Sequence, residues 1–195
     1  MTAEVIVKEC PIIFSGEMVR AILDGRKTQT RRIIKPQPEH VWGFGVRHDD
    51  PEYFSAHVRY SGGHQPDPWI HCPYGKPGDS LWVRETWSEL IHGEKAIYRS
   101  GYGKYAPLIT WKPSIFMPRW ASRISLEITG VRVERLVDIT DSDCYAEGIT
   151  SLQNDILGEP YYSFKELWDR INAKRGYLFA SNPWVWVIEF KRITP

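Results

Sequence analysis

Long apolar runs are missing: nowhere in the 195 residues do 18 consecutive apolar residues occur, so no helical membrane span is expected. Paired cysteine motifs are missing too. Cys10, Cys72 and Cys144 are odd in number and form no Cys-x-x-Cys, a usage that fits reduced thiols and a cytoplasmic location. Met1 to Glu9 carries two Glu and a Lys and no apolar stretch, so no signal peptide is read there. An excess of one charge is also lacking. The 25 Lys and Arg against 24 Asp and Glu leave +1, so no global field draws in a long polyanion and RNA binding is expected to be weak and salt-dependent. Internal repeats, heptads and low-complexity tracts are absent, which sets aside solenoids and coiled coils.

Aromatic residues are plentiful: nine Trp, ten Tyr and seven Phe. Most such rings fill cores, but some can be spared to stack on flat ligands. At 195 residues the chain supports one good core, so residues 1–195 are read as a single domain.

Ile12 to Phe14 reads as a strand, followed by a helix capped by Ser15, with Met18, Ile22 and Leu23 as its apolar face and Gly25 at its end. Thr28 to Ile34 reads as extended. Residues 36–77 hold seven prolines and five of the six His, and are read as a long insertion with little regular structure. Strands are expected at Ser80–Thr86 and Ala96–Arg99, with a second irregular excursion over 101–119. Ser125 to Glu134 alternates as a strand, with a bulge at Gly130. A short helix capped by Asp141 or Ser142 reaches Glu147. A second, opened by the capping box Ser163–Glu166, runs through Ile171, and a last strand covers Trp184–Phe190. Short strands with two or three helices imply an α+β fold built on a small mixed β-barrel.

Gly25-Arg26-Lys27-Thr28-Gln29-Thr30, then Gly78-Asp79-Ser80-Leu81-Trp82-Val83, then Leu136-Val137-Asp138-Ile139-Thr140 with Ala146-Glu147-Gly148, and finally Val187-Ile188-Glu189-Phe190 occur in that order. This order resembles the ASCH family, which has a PUA-like barrel, and in particular its long phage- and prophage-type members. The likeness covers residues 11–34, 78–87 and 120–192.

The resemblance implies one of two functions. Some family members are amidohydrolases of N4-acetylcytidine that use a Lys, a Thr three residues later and a Glu, which here correspond to Lys27, Thr30 and Glu147. Others are non-catalytic modules that bind RNA or modified nucleotides, and a ribonuclease is a third option. The residue types suit acyl transfer. A Thr hydroxyl needs a base, and a lysine amine becomes one when burial or nearby cations such as Arg26, Arg31 and Arg32 lower its pKa. Because positions three apart on a strand face opposite sides, Lys27 has to lie in the turn before the strand. Arg26, Arg32, Glu85, Trp87 and Tyr98 are the expected substrate contacts: a pyrimidine stacks on Trp87 or Tyr98 while Glu85 accepts from an amino group. Core packing for Trp87 and an Arg84 pair for Glu85 stand beside that. His64, Asp67, His71 and Cys72 lack zinc-ligand spacing, so neither a metal nor a cofactor is expected. The expected ligand is a small nucleoside.

Overall fold

The computed structural model describes residues 7–61, 68–90, 95–103, 108–150 and 160–193. Ten strands and three α-helices follow in the order β1 (Glu9–Ile13), α1 (Gly16–Leu23), β2 (Gln29–Ile33), β3 (His40–Val46), β4 (Phe54–Arg59), β5 (Trp69–His71), β6 (Ser80–Arg84), β7 (Trp87–Glu89), β8 (Ala96–Tyr98), β9 (Ser125–Arg135), α2 (Asp141–Ala146), α3 (Pro160–Asn172) and β10 (Trp184–Ile193). This is the α+β class. No helix among the described residues is long and apolar enough to cross a membrane.

The principal sheet has the order β1-β6-β9-β10-β2. Only β1 and β6 run parallel; the other neighbours are antiparallel. Its long member is β9, where Leu126, Ile128, Val131 and Val133 are buried. The register against β10 slips between Glu189 and Phe190, opposite Gly130 and Ile128, so the expected bulge is there and keeps the apolar residues on either side of it facing inward. β10 is covered on both faces. Trp186, Ile188 and Phe190 join the main core, while Val185 and Val187 pack with Phe164 and Trp168 of α3.

The barrel does not close. β1 and β2 are the two edges of the sheet. Only Ser15 and Phe14 separate β1 from α1, so the chain turns into a helix where a longer strand would have reached across. The Arg32 side chain bridges the edges instead, its Nη2 donating to the Ile13 carbonyl at 2.7 Å.

Residues 36–77 are more regular than their composition suggests. They form an antiparallel sheet of order β3-β4-β5, and Phe54, Ala56, Val58 and Cys72 enter the main core. The strand signal in β3 is blurred by Gly43 and Gly45 and by a register shift between Val41 and Gly43. Two helix starts also differ from expectation. Thr140 caps α2, in a reciprocal capping box with Asp143. The described part of α3 already includes Pro160, ahead of the expected opening at Ser163.

Phe54 is buried and meets Trp186 of β10 edge-on, ring centroids 6.3 Å apart. Phe54→Ala is therefore expected to cost about 3–5 kcal/mol of unfolding free energy in chemical denaturation. A loss below about 1 kcal/mol would mean that the β3-β4-β5 sheet is peripheral to the core.

Candidate functional site

The segment between α1 and β2 is shaped by two glycines. Ser15 caps α1 and accepts from the Met18 amide, and Gly25, at φ +74°, ends the helix in the left-handed region that favours glycine. The chain then doubles back, and the Lys27 amide donates to the Ala21 carbonyl at 3.0 Å. Lys27 thus sits in the turn before β2, bridged to Glu147 at the end of α2. Gly148 makes the approach feasible. Its φ is +88°, and a Cβ there would lie 2.9 Å from the Ala21 Cβ and 3.0 Å from the Lys27 Cβ.

Two residues 120 apart in sequence therefore meet in the interior. Lys27 Nζ donates to Glu147 Oε2 at 2.6 Å and to the Glu147 carbonyl at 2.8 Å. Their side chains are 0% and 4% exposed. Arg31 completes the arrangement. Its side chain, 1% exposed, reaches Glu147 at 3.3 Å, Asp143 at 3.2 Å and Glu134 at 3.0 Å. Arg132 pairs with Glu134, Asp143 and Glu189. Gln29 donates to Asp143 Oδ1 at 2.9 Å, so alternate residues of β2, Gln29 and Arg31, anchor the strand to α2.

Burial lowers the Lys27 pKa below 10.5. The Glu147 carboxylate opposes that shift, and the charges of Arg32 and Arg31 reinforce it. Asp143 moves the opposite way from what burial alone would do. Hydrogen bonds from Gln29 and Thr140, with the Arg31 charge, outweigh desolvation and hold its carboxyl far below the ordinary range.

Beside this network lies a cleft of about 690 Å³ between the two sheet edges, a size typical of small-molecule sites. Pro11, Ile12 and Ile13 of β1 face Thr30 to Lys35 across it; Phe164, Leu167, Trp168 and Ile171 of α3 supply an apolar wall. Ile70, His71, Pro73 and Tyr74 bring the end of the 36–77 insertion into the lining, and Glu147 and Thr30 are both among the lining residues. Lys27 lies behind Glu147 and is not part of the surface.

The expected substrate contacts divide. Arg32 lines this cleft. Arg26 lines a second cavity of about 660 Å³ on the other side of Glu147, with Arg20, Gly148 and Arg170, and donates to the Gly148 carbonyl and to Asp24. Glu85, Trp87 and Tyr98 are assembled elsewhere and do not line the cleft. Glu85 is buried and accepts from Arg123 at 2.9 Å and from Ser100 at 2.5 Å, so its cation is Arg123 and not Arg84. Trp87 packs in a small core with Met117 and Ala121, edge-on to Trp120. Tyr98 donates to the Ala121 carbonyl and lies under Arg123.

Of the residues weighed for zinc, His64 and Asp67 lie outside the described residues. His71 bonds Ser55 and faces Asp50, and burial pushes the Cys72 thiol up to about 12. Phe14 and Asp143 belong to the site without having been expected there. Lys27 Nζ and the Arg32 guanidinium both lie over the Phe14 ring, 5.7 and 5.0 Å from its centroid. Asp143, which pairs with Arg31, is signalled in sequence by the Thr140-x-x-Asp143 capping box.

No family model matches the sequence, and no curated protein does. Among solved structures, protein EF3133 from Enterococcus faecalis V583, of the DUF984 family, is similar at a TM-score of 0.44 and 9% identity over 97% of this chain and 82% of that one. An ASCH domain from Lactobacillus crispatus JV V101 is similar at a TM-score of 0.42 and 11% identity over 95% of this chain and 79% of that one.

Two outcomes follow from the buried pair. Glu147→Gln leaves the Lys27 ammonium beside Arg31 and Arg32 without its counter-charge, and is expected to cost about 3–5 kcal/mol at neutral pH. A lysine whose folded pKa is depressed binds fewer protons folded than unfolded. Its stability contribution is therefore full above 10.5 and is lost as pH falls through the folded pKa. Denaturation of this variant at several pH values should show the deficit shrinking as pH rises toward 10.5; a deficit independent of pH would contradict the assignment. Gly148→Ala, which meets both positive φ and a 2.9 Å contact, should destabilise by about 1–3 kcal/mol or more in the same measurement.

Proposed function

We propose that the protein is an amidohydrolase that removes the acyl group from N4-acylated cytosine nucleosides, with Lys27, Thr30 and Glu147 as its reacting groups. The observation that carries this reading is that the buried Lys27–Glu147 pair ends on a cleft whose lining includes Thr30 and Glu147 together. A buried ion pair contributes little net stability compared with apolar residues of the same volume, so stability alone does not call for it. A lysine whose pKa is lowered by burial and by neighbouring arginines is a competent proton acceptor. The size of the cleft, with its apolar wall from α3, suits one planar base better than a length of RNA.

The proposed chemistry balances without an added reagent other than water. Thr30 Oγ bonds to the acyl carbon while its proton passes by way of the Glu147 carboxylate, which lines the cleft, to the Lys27 amine behind it. Collapse of the tetrahedral adduct breaks the C–N bond, and the departing exocyclic nitrogen takes a proton relayed through Glu147. Water then cleaves the Thr30 ester, releasing the carboxylic acid and restoring the hydroxyl.

Incubation with N4-acetylcytidine, followed by ultraviolet absorbance, is expected to yield cytidine, with activity persisting in EDTA. Thr30→Val should lower kcat by about a thousandfold while Thr30→Ser keeps a measurable rate. Unchanged turnover in Thr30→Val would remove threonine as the nucleophile. Absence of any hydrolysis, together with RNA binding, would favour a non-catalytic module.

A further inference from the structure

The polar residues of the cleft separate by burial. Thr30, Arg31 and Glu147 are buried, Arg32 is half-buried, and Lys35 and Arg175 are exposed. Among the described residues, Glu147 is the only acidic side chain in the lining, and its charge is already met by Lys27 and Arg31. Arg32, Lys35 and Arg175 therefore bring three positive charges to one concavity, where Glu147, shared with Lys27 and Arg31, is the one lining carboxylate among the described residues that acts against them.

Arg32 is held as a fixed cation. Its Nη2 is tied to the Ile13 carbonyl, and its guanidinium carbon lies 5.0 Å from the Phe14 ring centroid and 5.9 Å from that of Tyr74. Its Nε is buried with no hydrogen-bond partner among the described residues, although a buried donor ordinarily has one. Burial lowers the Arg32 pKa; Tyr74 and the Glu147 charge oppose that shift, and the nearby Arg175 charge adds to it. Like charges gathered on a partly desolvated wall are unfavourable until an anion joins them. Arg175 stands at the end of α3's extension, just before Gly176 at φ +83° turns the chain, and Lys35 Nζ lies 5.4 Å over the Tyr177 ring. The two exposed cations thus flank the rim while Phe164, Leu167 and Ile171 offer an apolar surface to a base.

We infer that the cleft takes a nucleoside monophosphate rather than an uncharged nucleoside, with the base on the apolar wall of α3 and the phosphate held by Arg32, Lys35 and Arg175. This deepens the nucleobase reading above and rests on it. Guanidinium and ammonium groups form short charge-assisted hydrogen bonds to phosphate oxygens, and Arg32, already fixed, loses little freedom on engaging one.

The test is calorimetric titration of the intact chain with cytidine 5′-monophosphate, cytidine and the trinucleotide CpCpC. Cytidine 5′-monophosphate is expected to bind about tenfold or more tightly than cytidine at low salt, and its advantage should shrink as salt is added. The double variant Lys35→Ala/Arg175→Ala, altered only at exposed positions, should lose most of that advantage. Equal affinity for cytidine and its monophosphate, a preference that survives in the double variant, or tighter binding of CpCpC would each overturn the inference. Parallel hydrolysis assays on N4-acetylcytidine and its 5′-monophosphate keep the two readings apart. Monophosphate binding without hydrolysis of either compound sustains the phosphate site and sinks the hydrolase. Hydrolysis of both at equal kcat/KM does the reverse. Failure of all three ligands to bind, with neither acylated compound hydrolysed, removes both.

Discussion

A lysine ammonium with no exposed side-chain surface has to find its counter-charge inside the protein, and in this chain it finds it 120 residues away. Meeting that requirement fixes much else. Glu147 must stand at the end of α2, Gly148 must carry no side chain, and β2 must leave α1 through a left-handed turn at Gly25. Arg31 then has to balance the carboxylates that α2 and β9 bring in, which it does by reaching Glu134, Asp143 and Glu147 at once. In a medium of low dielectric such a group is satisfied as a whole or costs several kcal/mol. The pair accordingly acts as the joint between the N-terminal helix and the C-terminal half of the fold.

Much of this architecture can be read from local sequence, because local physics produces it. The Ser15 cap, the Gly25 stop and the alternation of β9 with its irregularity opposite Gly130 each arise from a few neighbouring residues. The placement of Lys27 in the turn before β2 was legible for a related reason, since strand geometry forbids Lys27 and Thr30 from sharing a face within one regular strand.

Non-local features were harder to read. The three-stranded sheet within 36–77 is marked by prolines at its boundaries and by Gly43 and Gly45 inside β3, which suppress the apolar alternation that would announce it. Yet Phe54, Ala56 and Val58 in β4 do alternate, and all three point into the core. Glu85, Trp87 and Tyr98 illustrate the opposite difficulty. Their types suit base recognition, but Arg123, Met117 and Ala121 reach them first, and nothing near them in sequence announces partners 23 to 38 residues away. Arg175 and Lys35 are separated by 140 positions, so only the folded chain brings them to one rim.

The sheet order has a kinetic consequence. β1 and β2 are separated in sequence only by α1, yet they are the outermost strands, with β6, β9 and β10 laid between them. β2 is not positioned until β10, from the far half of the chain, has docked, and β1 is joined to β2 only through β6, β9 and β10. Pairings of such long sequence separation form slowly because the intervening loops must close first. The cleft between those edges is therefore among the last parts of the molecule to assemble. A nascent chain has both edge strands early in synthesis, well before the α3 wall and the β10 strand that complete the cleft between them.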